Sequence, residues 1–306
     1  AYLTAALDAY AKYGEASAWL RAPSNATLAK AKPAALRRLM MSVLDYKGRT
    51  LYFGPRAADE AATALRREKT SKGRTTFSDP GPAWTRTFRT VKAPTVFVLD
   101  KKSAKASVRF AYPQPPLERD ARPLARLYTQ VLSGNMSALV FQELRESTGL
   151  AYSASARVSP GRTPKDASAL FGVLNTQADK TPEAVTRFLA LLERTNLPEA
   201  RIAEAKESLD HEFRSSRIDP RWLGYNVVAW SDLDEPDDPR PRAWARIQAA
   251  DAEALSAFAS GWTDVPVLFA IVGDRDRIGL DALRKVGEVR EVKAETLFGY
   301  GPFPAR

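Results

Sequence analysis

The order of the predicted elements makes this chain α+β. From residue 93 onward it reads strand, strand, helix, helix, strand, strand, a run of helices, then strand. A parallel α/β sheet would alternate strand and helix one by one, and this order does not. The apolar spacing supports it, falling near 3.6 in the helical runs and at two in Tyr152–Ser159.

Residues 1–67 form a first block. Ala5, Leu7, Tyr10 and Tyr13 lie in an opening helical stretch. Ala34 to Leu44 is helical because Leu36, Leu39, Met40 and Val43 share one face. Arg49 to Phe53 predicts a short strand stopped by Gly54-Pro55, and Ala57 to Arg67 an alanine-rich helix. One short strand cannot make a sheet, so this block is expected to be the incomplete tail of a preceding α+β repeat. The start at Ala1-Tyr-Leu, without methionine, reads as the middle of something longer.

Residues 68–92 are expected to be a basic linker. The net charge is +10, and Arg66 to Lys92 alone holds eight basic and two acidic side chains. Such a stripe suits nucleic acid or an acidic partner. Its Thr, Ser, Gly and Pro content favours a solvated linker.

Residues 93–306 read as one complete repeat. Pro94–Leu99 and Ala106–Tyr112 are strands around the polar Asp100-Lys-Lys-Ser turn. Leu117–Leu132 is a helix, followed by a Ser133-Gly-Asn loop. Met136–Thr148 is the next helix, with Val140, Phe141 and Leu144 on one face and Gly149 as its stop. Tyr152–Ser159 alternates Tyr152, Ala154, Ala156 and Val158 against polar residues, and Ala167–Asn175 is another strand. Thr181-Pro-Glu-Ala starts a helix with a threonine cap and an early proline. Helices follow Asn196-Leu-Pro, at Arg221–Trp230 and from Asp251 to Gly261, with an acidic loop at 232–238. Val265–Val272 is a buried strand and the longest apolar run, far short of the ~20 residues of a membrane span.

Composition removes most self-contained chemistry. The chain has no cysteine and a single histidine, His211. Its local string His211-Glu-Phe-Arg-Ser fits neither H-E-x-x-H nor H-x-x-E-H, so no histidine-rich catalytic zinc site can be assembled. There is no G-x-S-x-G elbow for a serine nucleophile. Asp274-Arg-Asp-Arg-Ile-Gly279 opens like a calcium loop, but Lys285 stands at the twelfth position where a bidentate glutamate is needed. The Ser133 loop has too little glycine to cradle phosphate.

Arg145 and Tyr152 remain as candidate substrate-binding residues, at a helix end and on the next strand. Spacing leaves two readings open. They converge on a substrate, or Arg145 pairs with Glu143, Glu146 or the helix C-terminus while Tyr152 is a core-edge aromatic.

The string Phe141-Gln-Glu-Leu-Arg-Glu-Ser-Thr-Gly-Leu-Ala-Tyr-Ser153 resembles a signature of the pitrilysin/insulinase family of zinc metallopeptidases, which includes the mitochondrial processing peptidases. Other pieces agree in order. Val96-Phe-Val-Leu-Asp with Ala106-Ser-Val-Arg-Phe is similar to the family's opening hairpin, and Leu132–Leu139 to its glycine-serine loop. Gly172–Ala184 and Leu268–Asp274 also match. The resemblance covers about 94–275. It implies related α+β repeats, each a mixed or antiparallel sheet packed against helices, arranged as two halves around a chamber. The chain is then the C-terminal, zinc-lacking half, with no cofactor of its own and zinc in a catalytic half on the same polypeptide or a partner subunit. In that family the matching arginine and tyrosine reach the substrate near the zinc. The resemblance therefore implies that Arg145 holds a substrate carbonyl and Tyr152 stabilises an oxyanion. The implied partners are the zinc-bearing half and a peptide, without a membrane. A scaffold subunit of the same fold is the alternative, and nucleic-acid binding ranks last. Bacterial periplasm and cytoplasm both remain open as compartments.

Overall fold

The computed structural model of the chain describes residues 2–71, 76–81 and 84–300. Four helices lead: α1 (Tyr2–Tyr13), α2 (Asn25–Ala29), α3 (Pro33–Ser42) and α4 (Ala58–Ser71). Strands β1 (Thr95–Asp100) and β2 (Lys105–Pro116) precede helices α5 (Arg122–Ser133) and α6 (Leu139–Phe141). Strands β3 (Ala151–Ser159) and β4 (Ala167–Gln177) come next. Helices α7 (Thr181–Leu192), α8 (Glu199–Ser215), α9 (Pro220–Ser231), α10 (Arg240–Ala249) and α11 (Ala252–Ser260) follow. Strand β5 (Leu268–Gly273), the helical turn α12 (Leu280–Leu283) and β6 (Glu288–Glu291) close the described chain.

The strands form one mixed sheet in the order β3-β4-β2-β5-β1-β6, so the fold is α+β. β5 runs parallel to β1 and antiparallel to β2. β1 and β2 are therefore not the hairpin that their short polar turn suggests, because β5 lies between them. Every residue of β5 is buried, and a strand with no polar face must lie inside a sheet covered on both sides.

One face of the sheet carries Val96, Val98, Val108, Phe110, Leu170, Leu174, Phe269 and Ile271. It packs on Tyr128 of α5, Phe188 of α7 and Leu209 of α8, forming the main core. Burial without a hydrogen-bond partner pushes the Tyr128 phenol up to about 12. The other face carries Phe97, Leu99, Leu268, Ala270 and Val272, covered by Ala6, Leu7 and Ala11 of α1 and by Leu297. The opening helix of the first block thus packs on the sheet of the last.

Helix α4 forms where the alanine-rich run predicts it, but the short strand expected in that block does not. Residues 49–53 form no strand, and Leu51, Tyr52 and Phe53 are exposed. An apolar run with no neighbouring strand has no ladder to join; Arg49 instead ties this segment to Asp232 at 2.9 Å. Helix α3 forms where the periodicity puts it, yet Leu36, Leu39, Met40 and Val43 are all exposed.

Part of the expected linker is built into the fold. Arg86 donates to the carbonyls of Ala167 and Ser159 at 2.7 and 2.9 Å and to the Ser159 hydroxyl at 3.0 Å. Asp166, 1% exposed, accepts backbone N–H groups from Arg86, Arg162 and Thr163. Burial opposes its charge, but those donors outweigh it and hold the carboxyl below its ordinary value. Arg89 lies over the rings of Tyr10 and Phe97. These two cations serve packing rather than a solvated stripe. Residues 72–75, 82–83 and 301–306 of the sequence expectations lie outside the described residues.

Candidate functional site

The 139–153 segment departs from regular geometry at three points. Val140 and Leu144 are buried and anchor α6 in the core. After Phe141 the helix widens: Gln142–Glu146 is a π-turn, closed by the Ser147 N–H donating to the Gln142 carbonyl at 2.9 Å. Single π-turns recur at functional sites because the extra residue re-aims the side chains around it. The Gly149 N–H donates to the Arg145 carbonyl at 3.1 Å, and Gly149 takes the left-handed φ of 60° that favours glycine. The strand then begins with a β-bulge, for Ala151 pairs with Thr176 and Ser153 with Asn175, leaving Tyr152 as the extra residue.

The bulge corrects the period-two expectation for Tyr152. Ala156 and Val158 are buried as predicted, but Tyr152 is 48% exposed because the phase breaks before it. A bulge leaves no mark on apolar spacing, so the sequence did not reveal it.

Arg145 and Tyr152 both reach the surface, at the two ends of one turn, and their contacts run to different partners. The Arg145 guanidinium lies 4.9 Å from the centre of the Phe141 ring and only 3.8 Å, a long ion pair, from Glu146. Glu143, its other expected partner, pairs with Arg194 at 3.2 Å instead. Tyr152 carries the Lys105 ammonium over its ring at 4.7 Å. Lys105 was not foreseen, because only the β3-β4-β2 order brings the start of β2 close to Tyr152. Beside them, Asn175 bridges Ser153 and Ser107 through two hydrogen bonds of 2.8 Å. A phenol and an ammonium thus lie together at a corner of the sheet, and an exposed guanidinium stands on the π-turn that precedes it.

The other candidates have plain structural roles. His211 is exposed on α8. Among the described residues no group of three or more His, Asp or Glu side chains is placed to hold a metal ion. Asp274 and Asp276 both bind Lys102, at 3.0 and 2.6 Å, which occupies the calcium-like turn with a lysine. In the acidic loop, Glu235 and Asp237 pair with Arg242, and Asp238 with Arg240. Ser133 accepts the Ala156 N–H at 2.7 Å and Thr129 the Val158 N–H at 3.0 Å, so the last turns of α5 finish the sheet edge. Among the described residues no helix is long and apolar enough to cross a membrane.

Residues 59–209 match the family model of the peptidase M16 inactive domain. Solved structures share the fold. A peptidase M16 inactive domain from Pseudomonas fluorescens is 16% identical with a TM-score of 0.64, over 89% of this chain and 65% of that one. A mutant of the ferredoxin protease FusC, in complex with Arabidopsis ferredoxin, is 12% identical with a TM-score of 0.66, over 88% of this chain and 29% of that one. The periplasmic protease PqqL from Escherichia coli is 14% identical with a TM-score of 0.55, over 72% and 25%. This chain therefore spans less than two thirds of each of these relatives. No curated protein sequence matches it.

Proposed function

Because the chain carries a peptidase M16 inactive domain, we propose that it is the zinc-free half of a zinc metallopeptidase, enclosing the peptide and completing the active site of a zinc-bearing half. That half lies on the same polypeptide or on a partner subunit. Arg145 holds a substrate carbonyl, and the Tyr152 hydroxyl donates to the oxygen that becomes negative at the transition state. The observation that carries this reading is the local backbone. A π-turn, a left-handed glycine and a β-bulge within one short segment hold both side chains outward, where a regular helix and strand would have turned Tyr152 to the core side.

Two further features support it. Lys105 adds positive charge beside Tyr152, favouring an oxyanion there. The exposed Leu36, Leu39 and Met40 of α3, with Val43 just after it, make an apolar surface suited to another protein body. The test is reconstitution: peptide cleavage by the zinc-bearing half is measured with and without this chain. Cleavage should require both. Full activity of the zinc-bearing half alone, or activity of this chain alone, would end the proposal.

A further inference from the structure

Helices α5 and α10 pack side by side, and each brings two arginines, one helical turn apart, to the same cleft. Arg122 and Arg126 come from α5, Arg242 and Arg246 from α10, and Arg119 joins them from just before α5. The cleft is a cavity of about 650 Å³ whose apolar wall includes Pro160, Leu233 and Pro239. Pro160 directly follows β3, so the cavity lies at the other end of that strand from Tyr152.

We propose that this cleft binds a phosphate monoester, its dianionic phosphoryl group held by Arg122 and Arg246 and its organic body resting on the proline and leucine wall. This reading stands whether or not the chain encloses a peptide.

The carboxylates around the cleft are already engaged with the other arginines. Arg126 pairs with Glu212 at 2.9 Å and lies over the Phe213 ring at 4.6 Å. Arg242 pairs with Glu235 at 2.7 Å and with Asp237 at 2.9 Å. Arg119 has the neighbouring Asp120 at 3.9 Å. Among the described residues neither Arg122 nor Arg246 has a carboxylate within ion-pair distance. Arg122 is half-buried, and burial lowers its pKa by more than the charges of Glu235 and Asp166 raise it. Arg246 is exposed. Like charges one turn apart on a helix repel each other, so the two arginine pairs are costly without an anion. At Arg122 the positive end of α5 adds to this, since no acid stands in its first turn and no side chain caps it.

Two uncompensated guanidinium groups match a dianion. A phosphate monoester carries about −1.5 to −2 charges at pH 7, and its oxygens suit the guanidinium fork. A phosphate diester brings only one charge. The volume and the apolar wall are those of a site for an organic molecule rather than for bare phosphate.

The test is isothermal titration calorimetry on the whole chain with phenyl phosphate, methyl phenyl phosphate and inorganic phosphate. Phenyl phosphate should bind at least about tenfold tighter than the singly charged methyl ester, and tighter than inorganic phosphate. Arg246→Gln, at an exposed position, should weaken phenyl phosphate at least about fivefold with an unchanged melting temperature. Arg122→Gln should do the same, and Arg246→Gln carries the test alone if the half-buried Arg122 proves necessary for folding. Arg284→Gln on α12, outside the cleft, should leave the affinity unchanged and so controls for bulk charge. No saturable binding of phenyl phosphate, equal affinity for the two esters, or an affinity that survives Arg246→Gln overturns the proposal. An equal loss in Arg246→Gln and Arg284→Gln overturns it as well. Inorganic phosphate binding as tightly as phenyl phosphate overturns the organic body.

Discussion

Phe110 lays its ring over Gly172, its register partner on the neighbouring strand, and a methyl group added at Gly172 would overlap that ring. The ring also meets Phe188 edge-on at 5.0 Å and Phe269 at 5.5 Å, so it has nowhere to retreat. Gly172→Ala should therefore cost about 1–3 kcal/mol by overpacking. Thermal melting checks it, and Phe110→Leu in the same chain should recover part of the loss. A melting temperature unmoved by Gly172→Ala would contradict this packing.

Asp166 gives a pH-dependent clip. Its folded pKa is lowered, so its stabilisation is present above the unfolded carboxylate value of about 4 and is lost as pH falls through the folded value. Asp166→Ala leaves three backbone donors without their acceptor and should cost at least about 3 kcal/mol at neutral pH. Urea unfolding across pH should show the gap between the two proteins narrowing below pH 4. A constant gap would remove the charge from the explanation.

Thr129 and Ser133 finish an edge strand. Each hydroxyl accepts an outward N–H of β3, and Ala156 and Val158 are both buried. Ser133→Ala or Thr129→Ala should each cost about 1–2 kcal/mol. The double variant frees adjacent donors for another chain, so it should self-associate more at high concentration. Light scattering and melting curves measure both, and an unchanged, monodisperse double variant would show that the edge is protected in another way.

Much of this molecule is legible from residues alone, for physical reasons. Apolar periodicity marks α5, α7, α8 and β4 because each buries a complete face. The Asp251 cap of α11 is read correctly, its carboxylate accepting the Ala254 N–H at 2.8 Å. The threonine cap of α7 shifts by one residue: Thr181 is already helical, and its hydroxyl donates to the Ala178 carbonyl at 2.8 Å. Strand β6, Glu288-Val-Arg-Glu, is charged and exposed at the sheet edge, so no apolar pattern reveals it. The insertion of β5 between β1 and β2 is a long-range pairing that local signals do not encode. Around Arg145 and Tyr152, the bulge and Lys105 leave no mark in the sequence, since both depend on register between strands.

The central claim is that Arg145 and Tyr152 serve catalysis in another half's active site. The measurement that tests it is kcat for peptide cleavage by the assembled peptidase carrying Tyr152→Phe, with Arg145→Ala beside it. Tyr152→Phe removes one donor and keeps the ring under Lys105, so kcat should fall about 10²–10³-fold while melting and assembly stay unchanged. Arg145→Ala should lower kcat/KM in the same enzyme. Turnover near that of the unmodified enzyme in both variants would contradict the account and leave the chain as a scaffold.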